Sequence, residues 1–217
     1  MGDDTAMALP APGSAEELAA YQRLQARLPD LFRRVFADPL EPRTVVIVPG
    51  LTMDQDVLAK VLGGLHYEER QLAMLMLLRL PNTRVVFVSS TPIERPIVDY
   101  YLGLLPGLTR DEARQRLVLL SASDASAATL TQKILERPRL LERIRDATGD
   151  PALAHLSCFN VTALERTLAV RLGIPLYGCD PSLQHLGGKS GSRAAFREAG
   201  VPLPDGREDL RSVEDVV

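Results

Sequence analysis

The sequence contains no tryptophan, and aromatic residues make up 5% of its 217 positions, so its core must be built from Leu, Val, Ile and Ala. It has two cysteines, Cys158 and Cys179. That count excludes a disulfide scaffold, and their separation fits neither a CxxC pair nor zinc-ligand spacing. Two isolated thiols read as small buried apolar side chains of an intracellular protein. There is no basic excess: Lys plus Arg number 25 and Asp plus Glu 28, a net charge of -3. This argues against a dedicated nucleic-acid binder. The longest apolar run, Leu72 to Leu78, is too short to span a membrane. Met1-Gly2-Asp3-Asp4 is acidic where a secretory signal is basic, and Ala6 stands where myristoylation needs Ser or Thr. The expectation is a cytoplasmic protein with no membrane and no nucleic-acid partner.

Several chemical signatures are also missing. No GxGxxG follows any strand-like segment, which argues against a nicotinamide or flavin dehydrogenase. Gly188-Lys189-Ser190 resembles the end of a phosphate-binding P-loop, but Leu183 occupies the place of the required first glycine. There is no HExxH and no GxSxG. His155 and His185 have no evident metal partners, and no metal ligand set is expected. Asn160-Val161-Thr162 matches a glycosylation acceptor that an intracellular chain would not use.

What is present is an ordinary globular balance, 46% apolar and 24% charged. After a loose leader with Pro10, Pro12 and Gly13, Ser14 to Glu17 form a capping box for a helix over 15–36. Leu18, Tyr21, Leu24, Leu28, Leu31 and Val35 give that helix one apolar face. Continuous apolar runs at Thr44–Val48, Arg84–Ser89, Arg116–Ser121 and His155–Asn160 predict strands covered on both faces. A weaker strand is predicted at Ile174–Tyr177, where Pro175 intrudes. Helical patterns alternate with them: Tyr67–Leu80, Pro96–Leu105, Leu130–Ala147 broken at Pro138, and a helix capped by Thr162 and closed by Gly173. A further capping box lies at Thr109–Glu112. The alternation predicts an α/β fold, a Rossmann-like parallel sheet flanked by helices.

In such sheets ligands bind beyond the carboxyl ends of the strands. Those ends are polar here. Ser90, Thr91, Asp124, Asn160 and Thr162, with His66 from His66-Tyr67-Glu68-Glu69-Arg70, are the candidates for a polar substrate cleft. The same side chains are also ordinary helix caps, and on a helix His66 would face Glu69 and Arg70 one turn on. No catalytic residue can be singled out.

The last stretch is the most distinctive. Gly187-Gly188 allow close approach of another group, and Lys189 with Ser190 and Ser192 opens a helix that Gly200 ends. A cation beside free N–H groups attracts phosphate, which marks Lys189 as a phosphate-binding candidate. Lys189-Ser190, Arg193, Phe196 and Ala199-Gly200-Val201-Pro202-Leu203-Pro204 resemble the opening of an ATP-grasp domain. His66–Arg70, Asp99-Tyr100-Tyr101, Lys133–Pro138, Cys158–Thr162 and Gly187–Arg193 extend the likeness. From Arg43 onward the chain resembles bacterial carboxylate–amine ligases related to the pheganomycin peptide ligase. That resemblance implies three regions: a leader and N-terminal helix over 1–42, a Rossmann-like pre-ATP-grasp domain over 43–180, and the first elements of an ATP-grasp domain over 181–217. It also implies peptide-type ligation with ATP and Mg²⁺ through an acyl phosphate, with a small carboxylate and an amine as substrates. The family's adenine-gripping lobe and metal ligands lie downstream, so only Lys189 carries over, as a phosphate contact. Leu210, Val213 and Val217 form a helical face without a stop signal. The sequence therefore reads as a truncated ligase, inactive alone, that would self-associate as a homo-oligomer. Alternatives are a non-enzymatic partner or binding module complementing a separate ATP-grasp subunit, or a Rossmann-like nucleotide-sugar transferase.

Overall fold

The computed structural model describes residues 9–52, 60, 63–210, 212 and 214–216. It divides into two units, 1–178 and 179–217. The leader residues before Leu9, together with Val213 and Val217, lie outside the described residues.

The first unit is built on a five-stranded parallel sheet in the order β3-β2-β1-β4-β5. Its strands are β1 (Arg43–Val48), β2 (Thr83–Ser89), β3 (Leu117–Ser121), β4 (Ala154–Cys158) and β5 (Leu176–Tyr177). The α/β class and the parallel sheet match the sequence expectation. Every residue of β1 is buried, as expected of a strand covered on both faces. Pro175 shortens β5 at its start, because it has no N–H to give the ladder.

Helices cover the two faces separately. On one face Val46, Val48, Val86, Val88 and Leu156 meet helices α1 (Ala15–Gln25), α6 (Leu130–Leu135), α7 (Pro138–Thr148) and α8 (Ala163–Leu172). On the other, Val45, Ile47, Val85 and Phe87 meet a 3₁₀ segment (Gln71–Arg79), α4 (Arg95–Gly103) and α5 (Arg110–Gln115). Two further helices, α2 (Leu28–Ala37) and α3 (Gly64–Arg70), flank these layers. The strand order reverses direction between β1 and β4, which makes that junction the switch point of the sheet.

Local chemistry sets the boundaries. Thr109–Glu112 and Thr162–Glu165 form reciprocal capping boxes, each contributing about 1 kcal/mol. Gly173 closes α8 in the left-handed conformation, and Pro138 separates α6 from α7. Three expectations are corrected. The single helix over 15–36 is two, because Pro29 has no N–H for a continuing ladder and fits only the first turn of α2. At the first cap Ser14 accepts from the Glu17 N–H, but Glu17 reaches one residue further back, to the Gly13 N–H at 2.8 Å. The segment 71–79 winds as a 3₁₀ helix. At three residues per turn, Leu72, Leu75 and Leu78 fall on one edge, and all are fully buried.

The edge of β5 is occupied by a side chain. The Gln25 amide donates to the Leu176 carbonyl at 2.9 Å and accepts from its N–H at 2.7 Å. Cys158 packs against the core, and burial pushes its thiol well above the ordinary range. Cys179 is exposed, contrary to expectation, because it lies in the turn that leaves β5.

In the second unit a short helix, α9 (Gln184–Gly187), leads into α10 (Lys189–Glu198). Gly200 closes α10 in a Schellman motif: its N–H meets the Arg197 carbonyl, and that of Val201 meets Phe196. The chain then returns along α10, where the Glu208 carboxylate accepts from Arg193 at 2.7 Å and Arg197 at 2.5 Å. Those bonds hold its carboxyl below the usual range. A Cβ at Gly191 would fall 1.9 Å from the His185 carbonyl oxygen, so only glycine lets α10 pass α9 this closely.

Candidate functional site at the strand rim

The loops beyond β1 to β4 are bound together by two buried carboxylates. Glu68 reaches from α3 to the end of β2. Its carboxylate accepts from the Ser90 N–H at 2.6 Å and the Ser90 hydroxyl at 2.7 Å. The Lys133 ammonium on α6 then donates to Ser90 Oγ at 3.0 Å, so the hydroxyl links acid and base. Lys133 also donates to the carbonyls of Asp124 at 2.9 Å and Ser126 at 2.8 Å, shaping the loop after β3 from below. Its side chain is 1% exposed.

Each charge is shifted by its surroundings. Burial raises the Glu68 pKa, against the opposing effect of Ser90 and Lys133. Burial lowers the Lys133 pKa, with Asp124 and Glu68 opposing. Asp124 accepts from the Ser126 N–H at 2.8 Å and from Arg137 at 2.6 Å. Its pKa falls to about 2, first through Ser126 and then Arg137 and Lys133. In the same loop Ser123 adopts a left-handed conformation, φ +52°, uncommon for a residue with a Cβ.

The second carboxylate, Glu165 on α8, is satisfied by hydroxyls. It accepts from Thr52 at 2.5 Å, Thr131 at 2.6 Å, and the Thr162 hydroxyl and N–H at 2.7 and 2.8 Å. Asn160 spans the switch point. Its amide donates to the Thr52 carbonyl at 2.6 Å and accepts from the Thr52 N–H at 2.9 Å, tying the β1 loop to the β4 loop. Tyr67 packs edge-on against Phe159 at 5.3 Å, so α3 bridges the ends of β2 and β4.

The candidates therefore differ in accessibility. Thr91, Asp124, Asn160 and Thr162 are half-buried at the rim, whereas Ser90 is fully buried between Glu68 and Lys133. His66 is exposed and pairs with Glu69 at 3.1 Å, while Arg70 lies over the Tyr67 ring at 5.7 Å. Lys189, in the second unit, is exposed at the start of α10. It borders an open hollow of about 420 Å³ with His185, Ser190, Glu208 and Asp209.

Sequence reasoning did not single out Lys133, Glu68 or Glu165. For Lys133 a signal existed: it stands between Leu130 and Ile134 on the buried stripe of a helix, where a cation needs partners. Among the described residues, no group of three or more His, Cys, Asp or Glu side chains is placed to hold a metal ion. No helix among them is long and apolar enough to cross a membrane.

A parallel sheet with a switch point between β1 and β4 and a polar rim at its carboxyl ends defines a Rossmann-like α/β protein. The chain is similar to the L-propargylglycine–L-glutamate ligase of Streptantibioticus cattleyicolor, at 31% identity over 156 residues, covering 69% of this chain and 32% of the ligase. It is also similar to IQ motif-containing protein H of Danio rerio, at 28% identity over 188 residues, covering 79% of this chain and 18% of that protein. The chain thus spans about a third of the ligase and under a fifth of the second relative. No protein-family model and no solved structure matches it. The first similarity supports a relation to the family of that ligase.

Proposed function

We propose that these residues form the Rossmann-like N-terminal part of an ATP-dependent carboxylate–amine ligase. The observation that carries this reading is the 31% identity over 156 residues to an enzyme that joins two amino acids. The exposed Lys189 at the start of α10, the helix that only Gly191 lets pass α9 closely, supports it.

In this reading a substrate carboxylate takes the terminal phosphoryl group of ATP, ADP leaves, and an amine attacks the acyl carbon. Phosphate then departs and the amine loses a proton. Mg²⁺ and cationic side chains would neutralise the phosphoryl charge. Lys189 would hold a phosphate oxygen, since its ammonium is exposed and the nearby Glu208 is already engaged by Arg193 and Arg197. Within the first unit, Thr91, Asp124, Asn160 and Thr162 would line a polar substrate cleft, held in place by the buried Glu68–Ser90–Lys133 and Glu165 clusters. The adenine-gripping lobe and the metal ligands would belong to the two thirds of the ligase that the match does not cover. On this reading the 217 residues alone do not turn over ATP.

The test compares the 217-residue chain with the same chain extended by the part of the ligase that the match does not cover. ADP release is followed with glutamate and a panel of amino acids. The extended protein should release ADP only when a carboxylate and an amine are both present. Lys189→Ala should lower kcat/KM for ATP by about tenfold or more. Tighter binding of a nucleotide sugar than of ATP–Mg²⁺, measured by calorimetry, would replace the ligase reading with a transferase.

A further inference from the structure

The sheet face that carries Val45 is unevenly covered. The 3₁₀ segment and α4 fill it over β1 and β2. Over β4 and β5 the side chains on the same face are His155, Ser157 and Tyr177, because Val45 pairs with His155 and Ser157 with Tyr177. Phe32 of α2 packs on this region, 5.3 Å from His155 and 5.1 Å from Tyr177. Beside it lies a cavity of about 280 Å³, walled mainly by apolar side chains such as Phe36, Met74 and Leu77. It sits near the first residues of β1 and β2, Arg43 and Thr83, and so is separate from the rim at the strands' carboxyl ends.

One wall of this cavity is a cation. Arg43 is 7% exposed. One edge of its guanidinium is used, with Nη2 donating to the Pro39 carbonyl at 3.0 Å. Its Nε is buried with no hydrogen-bond partner. The positive field reaches across the cavity: His155 is driven to a pKa of about 4, first by burial and then by Arg43. His155 is therefore neutral at ordinary pH and adds no charge of its own. Asp38 and Glu41 act on Arg43 from its own loop.

We infer that this cavity is a binding site for a small apolar carboxylic acid, its tail among Phe32, Phe36 and Leu77 and its carboxylate on Arg43. The volume suits a ring with a short chain, since a cavity of roughly 150 Å³ already holds benzene. A carboxylate is favoured over a neutral acceptor because the donor it meets is a desolvated cation. The site does not depend on the ligase reading.

The test is calorimetric titration of the full chain with 4-phenylbutyrate and with its alcohol, 4-phenylbutan-1-ol. The acid should bind with a dissociation constant of about 1 mM or tighter, at least about tenfold tighter than the alcohol. Ser157→Leu, which fills the cavity, should weaken the acid by at least about tenfold. Arg43→Gln should bring acid and alcohol to the same affinity. If that variant does not fold, the acid-to-alcohol ratio of the unaltered protein still decides. Equal affinity of acid and alcohol would overturn the inference, as would acid binding unchanged by Ser157→Leu. A dimer that Phe36→Ser splits into monomers would also overturn it, showing the groove to be covered by a second copy.

Discussion

The Lys133 ammonium lies 3.0 Å from the Ser90 hydroxyl, which in turn donates to Glu68 at 2.7 Å, so a buried cation and a buried anion are joined through one oxygen. The three residues come from three separate elements, α6, the β2 end and α3. Their union fixes how the rim loops stand over the sheet.

Removing one member of this cluster leaves the other charge buried and unpaired. Lys133→Met should destabilise the fold by about 3–5 kcal/mol, whereas Lys133→Met with Glu68→Gln should cost clearly less. Urea unfolding of the two variants and the parent reads the difference. Equal losses in both would show that the ion pair is not the cause.

His155 makes stability depend on acid. In the folded protein it takes up a proton only near pH 4, against about 6.5 when unfolded. The unfolded chain therefore gains protons first. Its contribution is whole above pH 6.5 and is lost as the pH falls toward 4, by about 3 kcal/mol. His155→Phe keeps the aromatic packing and should flatten the stability profile across that interval. The check is chemical denaturation at closely spaced pH values.

Glu165 gathers four donors from Thr52, Thr131 and Thr162. Glu165→Ala leaves those hydroxyls buried or strained and should cost about 2–3 kcal/mol, well beyond the loss of a helix cap alone. Thr162→Ala should cost about 1 kcal/mol. Thermal unfolding of both variants separates the central acceptor from the cap.

Gly191→Ala places a methyl group against the His185 carbonyl, and neither backbone can yield without moving α10. Amide exchange over 189–198 should speed up by about tenfold or more, while the sheet of the first unit keeps its protection. Unchanged exchange in α10 would mean that the crossing is looser than described.

The strands were readable because parallel strands buried on both faces leave continuous runs such as Val45-Val46-Ile47-Val48. Caps at Thr109 and Thr162 were readable because their chemistry is local. The 3₁₀ segment was not, since Leu72, Leu75 and Leu78 also suit an α-helix, and only the sheet they meet selects the tighter winding. The rim positions were legible as a set of polar strand ends. Their condition was not: Ser90 is buried by Glu68, 22 residues before it, and Lys133, 43 residues after it. Such pairings arise from topology and leave no local trace.

Gln25 offers β5 the donor and acceptor that a sixth strand would supply. A primary amide on a helix thus stands in for a peptide unit and ends the ladder there. Recruitment of a foreign strand along this margin would first have to evict that side chain, so fibril-like growth of the sheet is obstructed on this side. The opposite margin, along β3, carries Leu119 outward, 41% exposed, and is where strand addition meets less resistance.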